Sequence, residues 1–231
     1  MAGPKTALFS RKTPGGVFSI EDQAISTGDR WFVHSGTGAT TGGTSPDSPL
    51  STIDAAVGLA TASQGDIIFV MPGHNETITA ATSLVIDKIG LTIIGLGRGS
   101  NRPTLDFDNA SGTIEMDAAG CRISNIIFKA SVVNVVVCIN VDADDCEIDH
   151  CFFTYESTGD EFITTIDLDA FDRCHIHDNV IETEDTSGAA TRGIRIDETE
   201  DSVIENNIFR GFWSDAVIFG EGTLSSRLLV K

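Results

Sequence analysis

Basic residues are scarce in this sequence: 15 lysines and arginines stand against 34 aspartates and glutamates, which gives 231 residues a formal charge of -19. This surplus of negative charge repels the phosphates of nucleic acids and the surfaces of anionic membranes. We therefore expect a protein that binds neither nucleic acid nor membranes. The length allows one large domain, or two small ones, with a sizeable core, and we expect one domain.

Long apolar runs are also missing, because no stretch approaches the roughly 18 apolar residues that a membrane-spanning helix requires. The opening MAGPKTALFS has no apolar core of the kind found in signal peptides, so we expect synthesis in the cytoplasm. The sequons at Asn75 and Asn109 need a secretory route, and we expect neither to be glycosylated.

Cysteine is limited to five residues, and none belongs to a CxxC pair or a Cys/His zinc motif. The sequence accordingly predicts no disulfide framework, no metal site and no cofactor. Cys121, Cys146 and Cys174 occupy the same point of a repeated phrase, and we expect them to stack as small buried groups.

An eight-residue phrase recurs in the second half of the chain. Its copies are CRISNIIF at 121–128, CEIDHCFF at 146–153, CHIHDNVI at 174–181 and SVIENNIF at 202–209. A strand-like alternation ending in an acid precedes each copy, and these acids are Asp117, Asp142, Asp169 and Asp197. Each unit is therefore predicted to contain two short strands and two turns.

The alternation has a period of two, which buries every second residue of a strand and excludes a helix. Units of this length cannot bury an apolar face alone, so they must stack, about 4.8 Å apart, into a solenoid. Equivalent residues then form ladders. Besides the cysteines, the predicted ladders are Ile123, Ile148, Ile176 and Ile204, and the amide pair Asn179 and Asn207. With two looser coils upstream, about six coils are expected.

This arrangement resembles the right-handed parallel β-helix proteins of the pectate-lyase-like superfamily. Residues 30–78 are similar to the opening of such repeats: a strand, a Gly/Ser/Pro loop, a short helix and the strand GDIIFVMPG. Ser51, with Asp54 three residues on, predicts the helix cap. The resemblance implies an all-β, right-handed parallel β-helix solenoid of about six coils, with a short N-terminal capping helix and an extended N-terminal arm.

We accordingly divide the chain into an arm at 1–28, an opening strand, loop and capping helix at 29–64, and the β-helix at 65–231. Residues 1–20 contain no acid. Lys5, Phe9, Arg11 and Lys12 give this segment a basic and apolar character that predicts docking on an acidic partner. The alternative is that the arm folds back over its own acidic body.

The layout of the whole chain resembles the β-helical structural proteins of tailed bacteriophages. It consists of the arm, the loop and helix at 42–62, VMPGHNETI at 70–78 and IGLGRGSNRPTLDF at 94–107. It implies a non-enzymatic virion protein on the particle surface: a capsid decoration or cement protein, docked through residues 1–20 on the major capsid protein or another virion protein. A tail spike, fibre or receptor-binding protein, with a host-surface glycan as partner, is the first alternative. A polysaccharide lyase or glycosidase is the second.

Enzymes of the superfamily carry their catalytic groups on the outer face of one parallel sheet. The weak candidates here are Asp167, Asp169, Arg195 and Asp197. Acids on adjacent coils suit glycosidic cleavage when their carboxyl groups lie about 5 to 9 Å apart. However, the chain lacks the GHG and NTD motifs of polygalacturonase-like members, and its net charge suits an acidic polysaccharide poorly. The sequence favours a protein without catalytic activity.

His150, His175 and His177 cluster in sequence, with His175 and His177 on either side of the apolar Ile176. We expect these side chains at solvated corners rather than in a metal site or as a catalytic base. The acidic run DADD at 142–145 lacks the glycine spacing of calcium loops, so it is predicted to be a solvated turn.

Two apolar runs, SVVNVVV at 131–137 and GFWSDAVIF at 211–219, are candidates for contacts between chains. The last coil leaves an apolar surface and strand edges that a neighbouring chain would cover. By analogy with phage surface proteins, we expect a homotrimer.

Overall fold

The computed structural model describes residues 9–11, 18–20, 28–184, 190–221 and 227–231. The first elements in chain order are β1 (Phe9–Arg11), β2 (Phe18–Ile20), β3 (Arg30–Val33), α1 (Ile53–Leu59), β4 (Ile67–Val70), β5 (Asn75–Ile78), β6 (Leu84–Ile86), β7 (Thr92–Gly95), the 3-10 turn η1 (Gly99–Asn101) and β8 (Thr104–Phe107). They are followed by β9 (Ile114–Met116), β10 (Arg122–Ser124), β11 (Ile127–Ala130), β12 (Val135–Val141), β13 (Glu147–Asp149), β14 (Phe152–Tyr155), β15 (Phe162–Asp169), β16 (His175–His177), β17 (Val180–Glu182), β18 (Arg192–Asp197), β19 (Val203–Glu205), β20 (Ile208–Arg210), β21 (Ala216–Glu221) and β22 (Leu229–Val230).

Three parallel sheets form the walls of the molecule. Sheet 1 has the strand order β3-β4-β7-β10-β13-β16-β19-β22, sheet 2 the order β5-β8-β11-β14-β17-β20, and sheet 3 the order β6-β9-β12-β15-β18-β21. Each turn of the chain adds one strand to each sheet, so successive coils pair along their whole length. The predicted all-β parallel β-helix of about six coils is confirmed.

The prediction of two strands per unit was wrong, because each repeated phrase contains a sharp corner in its middle. The first corner residue has a left-handed backbone in every copy, and these residues are Asn125, His150, Asp178 and Asn206, with φ between 55° and 59°. Asn, Asp and His adopt this conformation more readily than other non-glycine residues. The corner separates a strand of sheet 1 from a strand of sheet 2, which gives three strands per coil.

The core lies inside this three-sided tube and is built from stacked equivalent residues. Ile123, Ile148, Ile176 and Ile204 are consecutive register partners in sheet 1. Cys121, Cys146 and Cys174 immediately precede these strands and are all buried. Burial raises the pKa of Cys146 to about 12 and that of Cys174 to about 11, so these thiols stay protonated and pack as apolar groups.

A pair of asparagine side chains, Asn179 and Asn207, closes the corner between sheets 1 and 2 in the later coils. Asn179 donates from Nδ2 to the carbonyl of Ile148 at 2.9 Å and to Oδ1 of Asn207 at 3.0 Å. Its own Oδ1 accepts the backbone N–H of Cys151 at 2.9 Å. Because Asn179 is fully buried, these bonds satisfy backbone groups that no water reaches.

Helix α1 covers the end of the tube next to β3, with Ile53, Ala56 and Val57 buried. Its N-cap is Thr52, whose Oγ1 accepts the N–H of Ala55 at 3.2 Å. The prediction of Ser51 as the cap was therefore wrong by one residue, since Thr52 is the extended residue directly before the first helical one. Across the described ranges, no helix is long and apolar enough to span a membrane.

Only a small part of the predicted arm falls within the described residues. Lys5 and Lys12 lie outside them, whereas Phe9 and Arg11 lie in β1. The backbone of β1 pairs antiparallel with β2, and Phe9 lies opposite Ile20. The docking role predicted for this segment remains a prediction.

Candidate functional site

The outer face of sheet 3 carries two adjacent columns of polar side chains. The first is formed by the register partners Glu115, Asn140, Asp167 and Arg195. The second follows the ends of the same strands and contains Asp117, Asp142, Asp169 and Asp197, with Glu221 as the register partner of Asp197. The four residues considered for catalysis from the sequence therefore lie together on β15 and β18.

Arg195 lies among the acids of this face. Its guanidinium donates to Asp167 at 2.6 Å and to Glu221 at 2.9 Å, and it approaches Asp197 at 3.5 Å. The side chain of Arg195 is only 19% exposed. A guanidinium that is held by carboxylates in this way is a poor proton acceptor, because its pKa is raised further by these contacts despite partial burial.

Several carboxyl groups of sheet 3 bind protons more readily than ordinary acids. Burial raises the pKa of Asp167 in spite of its contact with Arg195, and Oδ1 of this residue accepts no hydrogen bond from the described residues. Burial raises the pKa of Glu115, and repulsion from Asp142 adds to this shift. The hydrogen bond that Asn140 donates to Glu115 opposes it. Both residues line a shallow cavity of about 280 Å³. A carboxyl group with a raised pKa beside a cavity can act as a general acid once it has bound a proton.

Replacing Asp142 by asparagine should stabilise the protein at pH 7. Burial and the charges of Asp117 and Asp169 raise the pKa of Asp142. Its ionised form therefore destabilises the fold, and like charges on adjacent strands cost on the order of 0.5 kcal/mol. Thermal unfolding should show a higher midpoint for Asp142→Asn at pH 7, with the gain shrinking toward pH 4 as the wild-type carboxyl binds its proton.

Asp47→Asn is the matched control, because it removes the same charge from an exposed loop. An equal gain in both variants would mean that the total charge, and not the column, causes the effect.

The acids of sheet 3 also offer oxygen ligands to a cation. Glu115, Asp117 and Asp142 place one carboxylate oxygen each within 4.8 Å of one another. Hard cations such as Ca²⁺ take ligands of this type, but exposed acidic groups often cluster without an ion. The acidic grouping alone does not define a metal site.

A second polar cluster lies on the outer face of sheet 1, and it contains histidines. Glu147 of β13 is the register partner of His175 on β16, and His177 lies two residues further along the same strand. Nε2 of His177 is 2.9 Å from Glu147, and its Nδ1 is 2.7 Å from Asp178. We name Glu147, His175 and His177 the histidine cluster.

Asp149 lies beside the histidine cluster and is the most buried acid of this face. Its side chain is 0% exposed and accepts two bonds from Arg122, from Nε at 2.7 Å and from Nη2 at 2.8 Å. Ser124 donates to it at 2.8 Å, and His150 Nδ1 lies 2.5 Å away. Burial opposes the ionisation of Asp149, but these donors outweigh it and lower its pKa.

The sequence interpretation placed the three histidines at solvated corners and did not connect them with acids. His150 does lie at a corner with its side chain 59% exposed, whereas the side chain of His177 is only 13% exposed on a strand. The signal was present in the repeated phrase: its second letters include Arg122, Glu147 and His175, and its fourth letters include Asp149 and His177. Stacking those letters as columns would have predicted the ion pairs.

No family model and no curated sequence matches this chain. Among solved structures, the chain is similar to one titled "Rhamnogalacturonan lyase", with a TM-score of 0.51 and 12% sequence identity. The likeness covers 88% of this chain and 63% of that chain, so the present chain spans less than two thirds of the lyase. At this identity, the likeness shows the fold alone, a parallel β-helix.

Proposed function

We propose that this protein is a non-enzymatic structural component of a tailed-phage virion. In this proposal it is a capsid decoration or cement protein, with the N-terminal arm bound to the major capsid protein or another virion protein. The β-helix projects outward as a rigid, acidic body on the particle surface. A homotrimer is the proposed assembly.

The observation that carries the proposal is the division of charge along the chain. Residues 1–20 hold three basic residues and none of the 34 acids, whereas the β-helix presents acids in columns on its outer faces. A basic, partly apolar segment is suited to an acidic protein surface. An acidic outer face is suited to a particle exterior, because it prevents association between particles.

The contacts of Arg195 favour a structural role over a catalytic one. A lyase needs a base that can accept a proton, and Arg195 is held by Asp167 and Glu221 in ionic contacts. Ion pairs between stacked strands have the simpler role of holding neighbouring coils in register. The same pairing recurs on sheet 2, where Arg210 contacts Glu182 at 2.6 Å.

Deletion of residues 1–20 tests the docking role. Phage particles that assemble while only the truncated chain is produced should not contain that chain. The purified truncated protein should still give the circular dichroism spectrum of a β-sheet protein. The matched control is a full-length chain in which Lys5, Arg11 and Lys12 are replaced by glutamine and the apolar residues are kept. Incorporation of this variant into particles should be reduced. Unchanged incorporation of the truncated chain would contradict the proposal.

A charge placed on the apolar surface should dissociate the proposed trimer. Val133 and Val136 are 51% and 55% exposed, which is unusual for two valines so close in sequence. Val136→Glu places a charge where we expect contact between chains, so light scattering should report three chain masses for the wild type and one for the variant. The control is Ala62→Glu, which introduces the same charge in the exposed loop between α1 and β4. A wild-type protein that is monomeric at high concentration would contradict the trimer.

A polysaccharide lyase or glycosidase is the second candidate. It is favoured by the raised pKa values of Glu115 and Asp167 beside a cavity, together with the likeness to a solved lyase. Incubation with rhamnogalacturonan, polygalacturonate and neutral glycans tests it. A ladder of shortened products that disappears in Asp167→Asn would support the enzyme and overturn the structural proposal.

A further inference from the structure

The histidine cluster joins residues that are far apart in sequence into one set of metal-binding groups. Glu147 and His175 face outward from adjacent strands, and His177 faces the same way two residues beyond His175. The imidazole rings of His175 and His177 are stacked, with centroids 3.9 Å apart and planes inclined by 29°. One ligand atom from each of the three residues lies within 4.8 Å of the other two.

We propose that the histidine cluster is a binding site for a divalent transition-metal ion of the Zn²⁺ class. Two imidazole nitrogens and one carboxylate oxygen are the donor types that such ions prefer over Mg²⁺ or Ca²⁺. Ligand atoms around a tetrahedral Zn²⁺ ion lie about 3.3 Å apart, given bond lengths near 2.0 to 2.1 Å. The separations in the cluster are close enough that side-chain rotation alone brings the three groups around one ion.

The residues around the cluster are suited to hold its ligands in orientation. Nδ1 of His177 lies 2.7 Å from Asp178, which leaves Nε2, the nitrogen that faces Glu147, as the metal-binding atom. A carboxylate behind a histidine ligand fixes the ring and increases its basicity. Nε2 of His175 lies 3.3 Å from Glu205 on the next strand, which places a second carboxylate next to the cluster.

Two cations also lie near the cluster. Arg122 approaches Glu147 at 3.5 Å, but its closer partner is Asp149. Lys231 contacts the other oxygen of Glu205 at 3.1 Å. The surrounding acids outnumber these cations, so the site keeps a negative balance that favours a divalent ion.

Bound metal would join β13 to β16. Because these strands belong to successive coils, the ion would hold the two coils together against their separation during unfolding. A ligand that binds only the folded chain raises the unfolding temperature. The proposal does not depend on the virion role.

The test is isothermal titration of Zn²⁺ into the full chain, prepared without a histidine tag and freed of metal with a chelator. We expect one saturable site per chain, a rise in the thermal midpoint with Zn²⁺, and no comparable site for Mg²⁺. His177→Gln and His175→Gln should lose this binding, and Asp178→Asn should weaken it by about 10-fold or more. His150→Asn removes a neighbouring histidine outside the cluster and should bind Zn²⁺ as the wild type does.

Wild-type protein alone gives an independent measurement if the variants fold poorly. The imidazole nitrogen resonances of the five histidines can be followed by NMR during the titration. A saturable shift of two of them supports the site. Undiminished binding in the His175→Gln and His177→Gln variants, shifts of all five histidines together, or no saturable binding would each overturn the proposal.

Discussion

Asn179→Ala should reduce the free energy of unfolding by about 3 kcal/mol, because it leaves buried backbone groups without partners. The backbone N–H of Cys151 and the carbonyl of Ile148 both bind the Asn179 side chain, at 2.9 Å each. Cys151 and Ile148 are themselves buried, so water does not replace the lost bonds. Urea unfolding followed by circular dichroism measures the change.

Two other asparagines provide graded controls for this prediction. Asn207 makes equivalent bonds to the carbonyl of Ile176 and the N–H of Asn179, but its side chain is half-buried and water can replace part of them. Asn75 is exposed on β5. The loss should be largest for Asn179→Ala, intermediate for Asn207→Ala and smallest for Asn75→Ala. Equal effects at Asn179 and Asn75 would contradict the importance of the buried corner.

Asp149→Asn should cost about 3 kcal/mol at pH 7, because it leaves the half-buried Arg122 charge without its carboxylate. Asp149 is 0% exposed and holds Arg122 by two bonds at 2.7 and 2.8 Å. Its pKa in the folded protein lies below the ordinary value of 3.8. The stabilisation is therefore complete above pH 3.8 and is lost as the pH falls through the lower folded pKa. The difference between variant and wild type should shrink in acid.

Asp145→Asn is the matched control for burial. Asp145 also pairs with an arginine through a bond of 2.7 Å, from Nε of Arg173, but both side chains are about half exposed. Water screens such a pair, so this variant should unfold close to the wild type. A loss at Asp145 as large as that at Asp149 would show that pairing, and not burial, determines the effect.

The repeated phrase was enough to predict the stack but not its cross-section. The period-two alternation determines which side chains of a strand face the core. Ile114, Met116 and their equivalents in later coils are buried as this alternation predicts. The three-sided shape depends on single left-handed residues such as Asn125 inside the phrase. One such residue in a strand-like pattern is difficult to distinguish from ordinary alternation.

The polar clusters were less predictable because they depend on how distant segments meet. The bond from the N–H of Ile53 to Glu76, at 2.9 Å, exists only after α1 docks on the tube. The histidine cluster depends on the exact register of β13 and β16. By contrast, the Arg195 contacts follow from neighbouring positions in a column that the sequence already indicated.

The central functional claim is tested most directly by cryo-electron microscopy and mass spectrometry of purified phage particles that contain this gene product. The account predicts that the chain is present at a fixed ratio to the major capsid protein, with three-sided β-helical density on the outer surface of the head. Absence of the chain from purified particles, together with release of an active glycan-cleaving protein into the medium, would contradict it.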